Sequence, residues 1–303
     1  MSIKEILRLS IVQLRTSNSP SPELDAKVLI CHALAYEITE LYREAEKELS
    51  KKQVNEIEKL IRQRQNGEPI AYITGHKEFY GLDFLVNKNV LIPRPETEFL
   101  VEQGIKFIES RLSSIGLDPS NYQYSKFNIL DTGTGSGCIV ISIFKSLQQI
   151  NKSAIQQFVF FAVDNSLAAL KVAKENAKIY DVDNNITFLE SNLLNNPQLP
   201  DKFDLILANL PYVPALFQQT ASGLQLKFEP QEAIFAEDNG AEIIKEFLHQ
   251  SKNRLNLGGM IILELDPINA TVLKNLSIKL FPKAKISIKK DLAQMNRYLI
   301  IEN

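Results

Sequence analysis

The chain has 303 residues, 45% of them hydrophobic, and its 34 Lys and Arg nearly balance 36 Asp and Glu to leave a net charge of −2. That is material for two domains, and a pI near 6.0 excludes a large nonspecific nucleic-acid footprint, leaving room only for a local basic groove. No apolar run approaches the roughly 20 residues of a membrane span and Met1-Ser2-Ile3-Lys4-Glu5 opens no signal peptide, so no membrane association and a cytoplasmic location are expected.

Residues 1–74 read as a small all-helical domain. Leu7, Ser10, Ile11 and Leu14 share one helical face, and Leu24, Val28, Leu29 and Ala33 another. Thr39-Glu40-Leu41-Tyr42 and a charged helix over 51–65 follow, with the run at 44–48 as a solvated face. Gly67-Glu68-Pro69 closes this section. Residues 75–92 then read as a β-hairpin linker, with strands at 79–86 and 90–92 around the turn Asn87-Lys88-Asn89. In Pro93-Arg94-Pro95-Glu96-Thr97-Glu98 the prolines hold an extended segment, Thr97 or Glu96 opens a helix through Phe107, and Arg94 or Glu98 is placed to face a cleft.

From 93 to 303 the pattern alternates. Strands are expected at 128–131, 158–163, 186–189, 204–208, 260–265, 284–289 and 297–302, and helices from 137 and at 166–179, 239–255 and 267–280. This predicts an α/β domain whose parallel sheet carries helices on both faces, with the closing strand pair as an antiparallel edge. Cys31 and Cys138 read as buried thiols, and three histidines without paired spacing point to no metal site.

A glycine loop, Asp131-Thr132-Gly133-Thr134-Gly135-Ser136-Gly137, joins the first of these strands to its helix, the usual setting for a nucleotide-type ligand. A dinucleotide fingerprint would need a third glycine at 138, where Cys138 stands. The pattern D-x-G-x-G-x-G has an acid at the strand end and no pyrophosphate cradle, which suits S-adenosylmethionine (SAM). Asp131 is placed to hold a water or the amino group of the methionine part, and the glycines admit the nucleoside to the backbone. Asp164 ends the next strand, where a ribose-binding acid belongs, although a helix N-cap explains it equally when it is taken alone.

After the strand at 204–208 comes Asn209-Leu210-Pro211-Tyr212. An amide or exocyclic amine nitrogen is a poor nucleophile because its lone pair is delocalised. The Asn209 side-chain oxygen and the Leu210 carbonyl can accept both N–H bonds of an NH2 group and aim the lone pair at an incoming methyl, with Tyr212 as a flat wall. Such bonds strengthen as the nitrogen becomes positive, so they stabilise the transition state. Taken alone, the tetrapeptide also fits a strand-to-loop turn.

Further motifs carry a resemblance. Gly67-Glu68-Pro69-Ile70-Ala71-Tyr72-Ile73-Thr74-Gly75, Glu78-Phe79-Tyr80-Gly81, Leu91-Ile92-Pro93-Arg94-Pro95-Glu96-Thr97-Glu98, Phe228-Glu229-Pro230 before Glu237-Asp238-Asn239-Gly240, and Lys290-Asp291-Leu292 stand in one order along the chain. With the two core motifs they resemble the HemK/PrmC-type peptide chain release factor N5-glutamine methyltransferases over nearly the whole length. The resemblance implies a helical domain at 1–74 that recognises a release factor, a hairpin linker at 75–92, and a Rossmann-like SAM-dependent methyltransferase domain at 93–303. The substrate it implies is the glutamine of the Gly-Gly-Gln motif of class 1 release factors. Asp131, Gly133, Thr134, Gly135, Ser136, Gly137, Asp164, Asn192, Leu193 and Asn209 would contact SAM, with Leu193 near the adenine. Asn209, Leu210, Pro211 and Tyr212 would bind the glutamine amide.

Leu210 stands where the family has proline, and Asn192 where an acid is common. Leu210 still supplies a backbone carbonyl, and Asn192 keeps an acceptor for the adenine amine while losing a charge. The expected reaction is direct in-line transfer, the attacked amide shedding its proton to a carbonyl or water. The chain is read as a monomer with no direct nucleic-acid partner. The alternatives are a sibling acting on a ribosomal protein glutamine, a DNA or RNA amino-methyltransferase acting on a flipped base, and a SAM-binding scaffold. The nucleic-acid reading would want a target-recognition insert and a basic cleft, whereas the 212–228 segment carries only Lys227 as a cation.

Overall fold

In the computed structural model residues 1–17, 19–115, 126–150, 154–220 and 226–303 are described, and the chain divides into two units, Met1–His76 and Lys77–Asn303.

The first unit is helical: α1 (Ile3–Thr16), α2 (Pro22–Leu34), α3 (Ile38–Arg43), α4 (Lys51–Gln65) and α5 (Ile70–Thr74). Ser2 with Glu5, and Ser50 with Gln53, close capping boxes at the starts of α1 and α4. Its core is built from Ile3, Ile6, Leu14, Ala26, Leu29, Ile30, Leu41, Ile57, Leu60 and Ile61. The faces differ from the sequence expectation. On α1 the buried residues are Ile3, Ile6, Ser10 and Leu14, with Leu7 and Ile11 at the flank. On α2 they are Asp25, Ala26, Leu29 and Ile30, and Leu24 is exposed. Asp25 faces inward because Arg64 Nε donates to it at 2.7 Å, with the Ser19 and Ser21 hydroxyls as further donors. A buried carboxylate so paired fixes the rotation of α2, which no hydrophobic count could reveal. Gly67-Glu68-Pro69 does not end the helical section, since Pro69 caps α5.

The hairpin strands that follow are β1 (His76–Phe79) and β2 (Leu82–Leu85), shorter than expected and turning at Tyr80-Gly81 rather than at 87–89. Both turn residues have left-handed φ, 52° and 72°, the requirement of a tight two-residue hairpin turn. Asn87 instead bonds locally, its side chain to the Asn89 amide at 2.9 Å, and Val90 to Ile92 form no strand. Phe79 and Phe84 are buried in the second unit's core.

A 3₁₀ turn at Pro95–Thr97 leads into α6 (Glu98–Ile115). Then follow β3 (Phe127–Thr132), α7 (Cys138–Ile150), β4 (Phe158–Asp164), α8 (Leu167–Ile179), β5 (Ile186–Glu190), β6 (Phe203–Ala208), β7 (Val213–Pro214), β8 (Phe235–Ala236), α9 (Glu242–Ser251), β9 (Leu255–Glu264), α10 (Ala270–Leu280), β10 (Lys285–Lys290) and β11 (Asn296–Glu302). The seven-stranded sheet has the order β10-β11-β9-β6-β3-β4-β5. β5, β4, β3, β6 and β9 are parallel, and β11 runs antiparallel between β9 and β10. The antiparallel strand is therefore one in from the edge. Short β7 and β8 pair separately.

Apolar side chains cover both sheet faces. Phe79, Leu100, Ile139, Ile143 and Phe160 belong to one core, and Phe203, Ile244, Phe247, Leu273 and Ile301 to the other. β3 and β6 are buried on both faces, hence their near-continuous apolar runs. The expected helix over 239–255 shrinks to α9, because Asp238, Asn239 and Gly240 have φ of 53°, 55° and 83° and cannot extend it. Strand order reverses at β3, the crevice where ligands of such sheets bind.

Candidate active site

The loops following the carboxyl ends of β3, β4, β5 and β6 line one cavity of about 350 Å³. Gly133, Thr134, Gly135 and Ser136 come from the first, Asp164, Asn165 and Ser166 from the second, Ser191, Asn192 and Leu193 from the third, and Asn209, Leu210 and Pro211 from the fourth. Segment 89–97, Pro230, Glu232 and Ala233, and Glu242, Ile243 and Glu246 on α9 add to the wall.

The glycine loop is held by the strand beside it. The Gly133 and Thr134 amides both donate to the Val163 carbonyl at 2.9 Å. Asp164 ends β4 with both oxygens engaged, Oδ2 accepting from the Gly135 amide and Oδ1 from the Ser166 amide, each at 2.9 Å. Burial pushes the Asp164 carboxyl up, and these amides oppose the shift. The N-cap of α8 is Ser166, whose hydroxyl accepts from the Ala169 amide, so Asp164 is not the cap; it organises the turn and the glycine loop and also lines the cavity. Gly135 has φ 53°, and a Cβ there would meet nothing within 4 Å. A side chain at this wall would occupy space that the glycine leaves for a ligand.

Three of the expected site residues stand behind the wall. Asp131 is fully buried; its Oδ2 accepts from Thr134 Oγ1 at 2.7 Å, and among the described residues no hydrogen bond to Oδ1 is formed. Burial pushes its carboxyl up to about 7. Gly137 packs beneath the loop, where a Cβ would lie 3.3 Å from that of Ala173 on α8. Tyr212 directs its hydroxyl away to Glu264 Oε1 at 2.7 Å, and burial raises its phenol further. Leu193, in the left-handed region at φ 55°, and exposed Asn192 do line the cavity. So does Cys138, whose buried thiol is pushed up to about 12 and is correspondingly inert.

Asn209 follows β6 directly. Its Nδ2 donates to Thr97 Oγ1 at 2.8 Å, and Thr97 Oγ1 donates to Glu264 Oε2 at 2.8 Å. Among the described residues nothing donates to Asn209 Oδ1. Leu210 is 5% exposed, with a methyl 2.9 Å from where a Gly133 Cβ would stand, so the two site loops interlock. Arg94 lines the cavity and pairs with buried Glu229 at 2.6 Å, while Glu229 Oε2 accepts from the Ile92 amide at 3.0 Å. Phe228-Glu229-Pro230 thereby ties down the segment that bears Arg94 and Thr97. The site-building roles of Glu229 and Glu264 were not legible, because each reaches a partner more than a hundred positions away; Glu229 stood out only within the Phe228-Glu229-Pro230 motif, and Glu264 only as an acid within an apolar strand. The site presents amide-accepting oxygens beside a nucleoside-sized cavity, which fits group transfer to a nitrogen.

The "PrmC N-terminal domain" family matches residues 5–75 and "Methyltransferase domain" residues 124–274. The release factor glutamine methyltransferase of Rhodopirellula baltica is 37% identical over 288 residues, covering 95% of this chain and 92% of its own length. The chain belongs to the release factor glutamine methyltransferase family. The relative from Chlorobaculum tepidum is 32% identical, with 98% and 96% covered. The Bifunctional methyltransferase of Rickettsia typhi is 38% identical over 87% of this chain, which spans 50% of that protein. Among solved structures, the hMettl16 catalytic domain in complex with MAT2A 3'UTR hairpin 6 has a TM-score of 0.51 at 18% identity, covering 84% of this chain and 82% of that one. At that identity the likeness is one of methyltransferase fold. For this member of the family, the departures at Leu210 and Asn192 leave both residues on the cavity wall.

Proposed function

We propose that the protein transfers the methyl group of SAM to the side-chain N5 of the glutamine in the Gly-Gly-Gln motif of class 1 release factors. The reading rests above all on Asn209, whose NH2 is engaged by Thr97 so that Oδ1 is left to accept from a substrate amide. The cavity fits SAM on its own features: Gly135 leaves room a side chain would fill, Asp164 offers a carboxylate at the end of β4, and Leu193 gives an apolar wall. Bound there, SAM supplies an electrophilic methyl on a sulfonium.

The chain's residues then position the nucleophile. Asn209 Oδ1 and the Leu210 carbonyl accept the two N–H bonds of the glutamine amide, holding its plane so that the lone pair faces the methyl. The acceptors favour the cationic nitrogen, which then loses a proton to a carbonyl or water. Asp131 supports the loop through Thr134, and Tyr212 supports the site through Glu264. The residues that line the cavity include Asp164, Glu232, Glu242 and Glu246 against Arg94, an acidic setting that disfavours a phosphate backbone and hence the DNA or RNA reading.

The test incubates the protein with methyl-labelled SAM and its release factor, or a variant with that glutamine replaced by alanine, and maps the label by mass spectrometry. Label on the glutamine alone supports the reading. Label on a ribosomal protein or nucleic acid in its place rejects it.

A further inference from the structure

Thr97 and Glu264 are both buried, 2% and 1% exposed, yet they join the cavity residue Asn209 to Tyr212 in a chain of hydrogen bonds. The fold puts them together. β6 pairs with β9 so that Ala208 faces Leu263, which sets Asn209 and Glu264 one step beyond on neighbouring strands. The 3₁₀ turn carrying Thr97 is pinned from behind. Tyr298, opposite Glu264 on β11, donates its hydroxyl to the Glu96 carbonyl at 2.7 Å and stacks on Phe99 at 3.9 Å.

The direction of this chain is dictated by proton counting. Burial raises the Glu264 carboxyl, and the Tyr212 and Thr97 hydroxyls that donate to it, with the Arg297 charge, favour its ionised form; as a carboxylate it has only acceptors to offer. Thr97 has one hydroxyl proton, and it goes to Glu264, so the Thr97 oxygen must accept from its other neighbour. That neighbour is Asn209, which must therefore turn its NH2 to Thr97 and its Oδ1 to the cavity. The Tyr212 proton occupies the second carboxylate oxygen, leaving neither oxygen to compete. Without this constraint an asparagine amide can rotate by half a turn and present a donor where the substrate NH2 also donates.

We infer that Thr97 and Glu264 are positioning residues that set the polarity of the Asn209 amide, making it an acceptor for the substrate nitrogen. The inference rests on the amide-acceptor reading of Asn209 given above.

Thr97→Val keeps the shape and removes the relay, Thr97→Ser restores it, and Glu264→Gln replaces a double acceptor by a group that must donate at one end. The measurements are kcat and KM for the release factor, SAM affinity by calorimetry, and the Asn209 side-chain NH2 resonances in selectively labelled protein. Thr97→Val and Glu264→Gln are expected to lower kcat by roughly 30- to 100-fold, below the roughly 10²–10³-fold of losing an oriented contact outright because Asn209 itself is retained, with SAM affinity within about 3-fold. Thr97→Ser should return to within a few-fold of wild type, and the shifted Asn209 NH2 resonances should move in Thr97→Val and return in Thr97→Ser. Wild-type kcat in Thr97→Val overturns the relay, as does an equal loss of kcat and SAM affinity that serine does not restore. Should Thr97→Val lose its fold, unmoved Asn209 resonances in Glu264→Gln with wild-type kcat would overturn it in the same way. Asn209→Ala separates the two ideas: if it is inactive while Thr97→Val is fully active, only the relay fails, and if it is active the reading of Asn209 fails.

Discussion

Gly240 sits against the backbone that carries the substrate-binding loop, and replacing it with alanine should damage activity and stability together. Its φ is 83°, and an added Cβ would stand 2.0 Å from the Tyr212 carbonyl oxygen, 2.7 Å from the Tyr212 carbonyl carbon and 3.1 Å from the Pro214 nitrogen. No flexible side-chain tip is there to yield. The Tyr212 peptide must retreat by about 1 Å to reach ordinary contact, and β7 with its β8 partner must move with it. The left-handed conformation costs about 1–2 kcal/mol once a Cβ is present, and forced repacking about 1–3 more. For a unit of this size roughly 2–5 kcal/mol lowers Tm by roughly 4–20 °C. A shift of about 1 Å near the reacting atoms costs on the order of 10²-fold in rate. The assay is kcat/KM for release-factor methylation at a temperature where the variant is folded, with Tm from calorimetry. Gly240→Ala with unchanged Tm and full activity would refute the close approach; lowered Tm with full activity would refute the link from this turn to Tyr212.

Asn209→Ala should lower kcat by about 10²–10³-fold while leaving SAM affinity within a few-fold, and equal losses in both would make Asn209 a structural residue instead. Leu210→Pro should keep kcat/KM within about 3-fold, since the Leu210 carbonyl is retained; a loss beyond tenfold would show that its buried side chain, packed toward Gly133, has become essential. Asp131 titrates near 3.8 in the unfolded chain and about 7 in the fold, so between these values the native state holds the extra proton and stability falls as pH rises. The loss is on the order of 4 kcal/mol across that window. Thermal unfolding from pH 4 to 7.5 should show a decline that Asp131→Asn makes shallower; parallel curves for the two proteins would sink this account.

Two kinds of information divide this protein. Local chemistry determined much of it: strand and helix alternation specified a mostly parallel sheet with an antiparallel strand near its end, D-x-G-x-G-x-G specified the cofactor class, and Asn209 to Tyr212 pointed to a planar nitrogen, because each is a short pattern with a short-range physical meaning. Tertiary structure decided what depends on distant partners. Asp25 rotates α2 because Arg64 meets it, Tyr80-Gly81 rather than Asn87 turns the hairpin because two left-handed residues fit there, and Asp131, Gly137 and Tyr212 fall behind the cavity wall. Above all, the burial of Glu264 next to Thr97 and Asn209 arises from strand register. Hydrogen-bond polarity is a property of the assembled network, and three residues more than fifty positions apart carry no local pattern that reveals it.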